Sequence, residues 1–184
     1  MIHTEGAYQR IIDETRLWVE RAVIGLNLCP FAKAVQVKDQ VRYAASDATD
    51  AEGVLADLED ELLLLSQADP DQLDTTLLIL PDALDDFYEF NDFADLSDRL
   101  LKRMRLVGVL QVATFHPAFQ FADTEPGDIE NCTNRSPHPI LHLLREDSID
   151  RAVEAFADAA EIYEKNMETL RRLGWDGWRK LMAG

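Results

Sequence analysis

Several features that would place the chain in a familiar class are scarce or absent. It has two cysteines, Cys29 and Cys132, which lie far apart and form no CxxC pair. In a chain without an export signal, this spacing favours free thiols over a disulfide. Residues 1–10 are mixed polar and lack the basic-then-apolar order of a secretion signal. No run approaches the roughly 18–20 apolar residues of a membrane-spanning helix. We therefore expect a soluble, cytoplasmic protein.

Basic residues are also few. The 184-residue chain has 35 acidic and 18 basic residues, which gives a formal net charge of −17. A surface of this sign repels a phosphate backbone unless the bases gather on one face. Nucleic acid and anionic membranes are therefore not the expected partners. The length and the apolar fraction of 47% are typical of one globular domain spanning residues 1–184.

Hydrophobic periodicity predicts alternating helices and strands. Apolar residues at helical spacing predict a first helix ending near Gly25–Asn27, and a capping-box pattern at Thr49–Glu52 opens a second. A third helix is predicted over Leu84–Met104, and a fourth from Asp147. The predicted strands are a hairpin through Val35–Ala45 with its turn at Lys38–Gln40, then Thr75–Leu80, Val109–Phe115 and Ile140–Leu144.

This order predicts an α/β fold, with a mostly parallel sheet of about four strands and helices on both faces. A ferredoxin-like α+β arrangement is the alternative. In parallel α/β sheets, ligands bind at the carboxyl ends of the strands. His116 directly follows the predicted strand Val109–Phe115 and precedes Pro117, so it is a candidate acid/base. The alternative is a histidine that caps the strand and bonds to nearby backbone.

A long irregular segment, Asp128–Pro139, is the second candidate region, because loops of this length in compact domains are often functional. It contains Asn134 and Arg135, and His142 and Arg145 follow it. A guanidinium binds carboxylate or phosphate oxygens in bidentate fashion, so the two arginines could form an anion clamp. Salt bridges to the abundant carboxylates are the alternative. In a strand, His142 and Arg145 would lie on opposite faces.

The third candidate region is the segment Asn27–Lys33. If Pro30 begins a helical turn, Cys29 is its N-cap, and the helix dipole and Lys33 would both stabilise a thiolate. Cys29 would then be a possible nucleophile. Its apolar neighbours favour the alternative, a small core residue.

These segments together resemble a known family. The motifs are GLNLCPFAK (residues 25–33), Val41-Arg42-Tyr43, Asp74–Leu77, Phe115-His116-Pro117, Asn134–Pro137 and His142–Glu146. They are similar to the domain of unknown function family fourteen-fifteen over the whole chain. The resemblance implies no activity or fold. In that family's pattern, aromatic residues are usual at the positions of Cys132 and His138, which weakens the case for either as a metal ligand.

The leading hypothesis is a small-molecule enzyme or ligand-binding protein that acts on an anionic metabolite. In it, His116 and Cys29 are catalytic, and the ligand-binding residues are Asn134, Arg135, Arg145, His142, Lys33 and Arg42. One alternative is a metal protein that uses His116, His142 and Cys29; another is a non-enzymatic interaction module. The sequence leaves open whether the protein is an enzyme, and it predicts neither a cofactor nor an oligomeric state.

Overall fold

One mixed sheet forms the frame of the protein in this computed structural model, which describes residues 2–3, 6–155 and 159–183. The strands are β1 (Ile2–His3), β2 (Val41–Ser46), β3 (Thr75–Ile79), β4 (Leu110–Phe115) and β5 (Ile140–Arg145). The helices are α1 (Gln9–Trp18), which continues as a π-helical segment (Val19–Ile24), α2 (Ala32–Val37), α3 (Ala51–Gln67), α4 (Phe87–Met104), α5 (Glu146–Ala155) and α6 (Ala159–Ala183). Short 3₁₀ turns cover Gly6–Tyr8 and Ile129–Asn134.

The strand order is β1-β2-β3-β5-β4, and only the β2–β3 pair is parallel. The pairs β1–β2, β3–β5 and β4–β5 are antiparallel, so the prediction of a mostly parallel sheet was wrong. The helical crossovers α3 and α4 do keep β2, β3 and β4 in one direction. The connection from β4 to β5, which lies wholly within the described residues, contains the 3₁₀ turn Ile129–Asn134 but no α-helix, and β5 returns between β3 and β4. Mostly antiparallel pairing is typical of α+β folds.

The predicted hairpin through Val35–Ala45 was also wrong in its first half. Val35 and Val37 belong to α2, and only β2 is a strand. Two valines two residues apart are too short a pattern to separate a strand from one helical turn. The turn at Lys38–Gln40 exists, with Asp39 in the left-handed region at φ 56°.

Helices α3 and α4 cover one face of the sheet, called here the sealed face. Leu58 and Leu62 of α3 and Phe90 and Phe93 of α4 are almost fully buried against the sheet residues Ala44, Leu78, Leu141 and Leu143. The cap of α3 is the Asp50 carboxylate, which accepts the Gly53 N–H at 2.8 Å, one residue later than the capping-box pattern suggested. Burial of this many large apolar side chains is the main stabilisation of the fold.

The opposite face is covered only in part, and it is called here the cavity face. Trp18, Ala22 and Val23 pack on the sheet residues Tyr43, Ala45, Ile79 and Ile140, and Trp178, Leu181 and Met182 of α6 complete that cluster. The cover does not extend across the amino-terminal halves of β2 and β3. Helices lie on both faces, as predicted, and no described helix is both long and apolar enough to span a bilayer.

Candidate functional site

A cavity of about 680 Å³ occupies the uncovered part of the cavity face. Its floor is made by alternate residues of three strands, Thr75, Leu77, Gln111, Ala113, His142 and Leu144, which the strand register places side by side. Helix α2 and the preceding segment form one wall, and α5 forms another. Most of the lining is apolar, with few polar groups.

His142 is the titratable side chain in the floor of this cavity. The register places it between Leu77 of β3 and Ala113 of β4, and its ring lies 5.9 Å from that of Phe115. Its Nε2 is 2.8 Å from the Thr75 hydroxyl, which in turn donates to the Leu143 carbonyl at 2.6 Å. Burial lowers the pKa of His142 to about 4, because an apolar surrounding disfavours the imidazolium. The ring is therefore neutral at pH 7.

Cys29 lies in the wall of the same cavity. Helix α2 begins at Ala32 with Phe31 as its N-cap, so Cys29 is not the N-cap that the sequence predicted. The nearby backbone N–H groups of Phe31 and Ala32 still favour its thiolate. Burial acts in the opposite direction and is the larger effect, so the pKa of Cys29 is raised. At neutral pH the side chain is a thiol, not an activated thiolate.

Charged side chains of both signs border the cavity. Lys38 and Arg151 are the cations, and Asp71 and Asp74 are the carboxylates. Ser148 of α5 donates to Asp74 at 2.6 Å and accepts from Arg151 at 3.1 Å, so two of these charges are already linked to each other through its hydroxyl. The rim therefore has no strong preference for a charge of one sign.

His116 lies outside the cavity, on the side of α4. It is 1% exposed and packs between Phe87 and Phe90, with ring centroids 5.4 and 5.0 Å away. Its Nδ1 accepts the Ala118 N–H at 3.0 Å, and its Nε2 donates to the Leu84 carbonyl at 3.2 Å. Burial also lowers its pKa. This is the geometry of a histidine that fixes a turn, because both ring nitrogens have protein partners.

Asn134 and Arg135 hold the loop that follows β4. The Asn134 amide donates to the Thr114 carbonyl at 3.0 Å. Arg135 donates to the carbonyls of Phe119 (3.1 Å) and Pro126 (2.7 Å), and its guanidinium lies 5.7 Å from the Trp175 ring centroid. Neither residue lines the cavity.

The other predicted anion-binding residues have internal partners or lie elsewhere. Arg145 reaches the end of α3 and donates to the carbonyls of Leu65, Ala68 and Leu73 at 2.8 to 3.3 Å. Arg42 forms a bidentate pair with Glu61, at 2.8 and 2.9 Å. Lys33 is exposed on α2 and is not part of the cavity lining.

The structure thus brings together two of the predicted site residues, Cys29 and His142, and keeps His116 and Arg135 apart from them. A shared site of Cys29, His116 and Arg135 does not form. Among the described residues, no group of three or more His, Cys, Asp or Glu side chains is placed to hold a metal ion. Sequence reasoning missed Thr75 and Gln111. The available signal for Thr75 was its place in the motif Asp74–Leu77, in which a strand would put Thr75 and Leu77 on one face.

The fold and the cavity define an α/β protein with a mainly apolar cavity on one face of a mixed sheet. Residues 10–180 match the family described as "Protein of unknown function (DUF1415)", and the chain belongs to this family. No curated protein and no solved structure matches the chain. The family description assigns no activity.

Proposed function

We propose that the protein binds a small, mainly apolar molecule in the cavity above β3 and β5. The observation that carries this proposal is the cavity itself, about 680 Å³ in a face that is otherwise covered by packed side chains. Small-molecule sites are typically concave, mainly apolar and roughly 300–1,000 Å³ in volume, with a few polar groups that orient the ligand. The cavity fits each part of that description.

The expected charge of the ligand follows from the partners that the protein's cationic side chains already have. Arg42, Arg135 and Arg145 are held by internal partners, which leaves Lys38 and Arg151 at the rim. Two carboxylates, Asp71 and Asp74, border the same opening. This balance of two cations and two carboxylates at the opening favours an uncharged ligand over the anionic metabolite that the arginines alone suggested.

The test is a thermal-shift screen of a metabolite library against three proteins. Ala113→Leu adds bulk to the cavity floor, and Ala56→Leu adds the same bulk at an exposed position of α3 as the matched control. A ligand that binds the native state raises the melting temperature. Hits are expected to stabilise the wild type and Ala56→Leu but not Ala113→Leu. Equal shifts in all three proteins would place the binding elsewhere and refute the proposal.

A further inference from the structure

The cavity contains a polar atom whose hydrogen-bonding role is fixed by the protein. We infer that His142 presents the lone pair of Nδ1 to the cavity as an acceptor, so that the ligand is an apolar molecule with an uncharged O–H or N–H donor. This inference rests on the proposed function, because it names the chemical class of the molecule that the cavity takes. It is carried by the geometry of three residues, Thr75, His142 and Leu143.

The first step concerns the proton of Thr75. A backbone carbonyl can only accept, so the 2.6 Å contact to the Leu143 oxygen uses the one hydroxyl proton that Thr75 has. The Thr75 oxygen can then only accept from His142 Nε2, which lies 2.8 Å away. Nε2 must therefore carry the proton of the neutral ring.

The second step concerns the other nitrogen. In a neutral imidazole one nitrogen is a donor and the other an acceptor, so a proton on Nε2 leaves Nδ1 with a lone pair. Within the described ranges, Nδ1 has no hydrogen-bond partner. The fully buried side-chain atoms that lack a partner there do not include Nδ1, so this atom is not fully buried. It is therefore open to whatever occupies the cavity. His116 is the contrast, since the N–H of Ala118 already occupies its Nδ1.

The third step concerns the charge state. An imidazolium would turn Nδ1 into a donor and would select a carboxylate or phosphate instead. The charged groups that could stabilise this cation, Asp71 and Asp74, stand at the rim, and Asp74 already accepts from Ser148. Burial of the ring holds the pKa of His142 near 4, which agrees with the neutral form. A carboxylate oxygen carries no proton, so its lone pairs would face the lone pair of Nδ1 and the two would repel each other.

The state of the ring can be measured without a ligand. In ¹⁵N-labelled protein at pH 7, the His142 resonances, assigned by their loss in His142→Phe, are expected to show a protonated Nε2 and an unprotonated Nδ1. A proton on Nδ1 would overturn the inference whatever the cavity binds. This readout separates the failure of the inference from the failure of the proposed function.

The ligand class is tested with three probes that share one apolar body. They are 2-naphthol, which has a donor, 2-methoxynaphthalene, which has an acceptor only, and 2-naphthoate, which is an anion. By calorimetry 2-naphthol is expected to bind about fivefold or more tightly than either of the others, as one buried hydrogen bond predicts. Binding of 2-naphthol should also shift the Nδ1 resonance.

Two variants complete the design. His142→Phe keeps a ring of similar size but has no acceptor, so the preference for 2-naphthol over 2-methoxynaphthalene should disappear. His138→Phe is the control, because His138 lies outside the cavity and bonds to Glu14; it should keep the preference. Equal affinities in the wild type, or tightest binding of 2-naphthoate, would overturn the inference while leaving cavity binding intact. Failure of all three probes to bind would count against both proposals.

Discussion

His116 and His142 lie on opposite faces of the sheet, and they differ in their hydrogen bonds. His116 on the sealed face and His142 on the cavity face both have lowered pKa values because of burial. On the sealed face, both ring nitrogens have protein partners. On the cavity face, one nitrogen is paired and the other has no partner in the described part of the chain. A paired histidine stabilises a fold, whereas a half-paired histidine in a cavity is available to a ligand.

The largest difference between the faces should appear in packing. Phe90 is 1% exposed on the sealed face, so Phe90→Ala is expected to lower the free energy of unfolding by about 3–5 kcal/mol. Leu144 is only partly buried in the cavity floor, and Leu144→Ala should cost about 1.5 kcal/mol or less, because that side chain already borders empty space. Urea denaturation followed by circular dichroism measures both. Equal losses would mean that the cavity face is as tightly packed as the sealed face.

The next effect is a pH dependence from His142. Its folded-state pKa of about 4 lies below the ordinary value of 6.5, so the unfolded chain binds the proton first as pH falls. The stability that depends on a neutral His142 is therefore fully present above about pH 6.5, and it is lost as the pH decreases toward 4. It amounts to about 2–3 kcal/mol, allowing for partial access of water to the ring. We expect the wild type to lose that much more stability than His142→Phe between pH 7 and pH 4. Parallel pH profiles of the two proteins would contradict this.

A smaller difference is expected when each histidine is replaced at pH 7. His116→Phe leaves the Ala118 N–H and the Leu84 carbonyl without partners and should cost about 2 kcal/mol or more. His142→Phe removes only one donor, and Thr75 keeps its bond to Leu143, so it should cost about 1 kcal/mol or less. Chemical denaturation at pH 7 ranks the two variants. The reverse order would show that His142, not His116, is the structural histidine.

Much of the secondary structure follows from sequence because it depends on local periodicity. The amphipathic helices α3 and α4 and the apolar strands β3 and β5 lie close to their predicted positions. The sheet direction does not follow, because no local pattern shows that β5 inserts between β3 and β4. Strand pairing is decided by tertiary packing, which acts between residues far apart in the chain.

The site could be predicted only at the level of residue type. Cys29 and His142 were both predicted as site residues. Residue type alone, however, does not show which arginines and histidines form hydrogen bonds within the protein. Arg145 at the end of α3 and Arg135 in the loop after β4 bond to backbone carbonyls that are distant in sequence. His116 follows the carboxyl end of a strand, where ligands bind in parallel sheets, yet the cavity extends over the opposite, amino-terminal halves of β2 and β3.

The smallest effect concerns the two thiols, one on the cavity wall and one in the interior. Burial raises the pKa of Cys29 and raises that of Cys132 to about 11, but only Cys29 lines the cavity, and Cys132 is fully buried. In native protein at pH 7, a small disulfide reagent should modify Cys29 more slowly than a free model thiol, since burial leaves less thiolate present. Cys132 should react only on unfolding.

Cys29→Ala identifies the slow phase, which should accelerate with rising pH and be suppressed by a molecule that fills the cavity. Rapid reaction at pH 7 would instead mean an activated thiolate, and Cys29 would then be a nucleophile and not merely part of the wall.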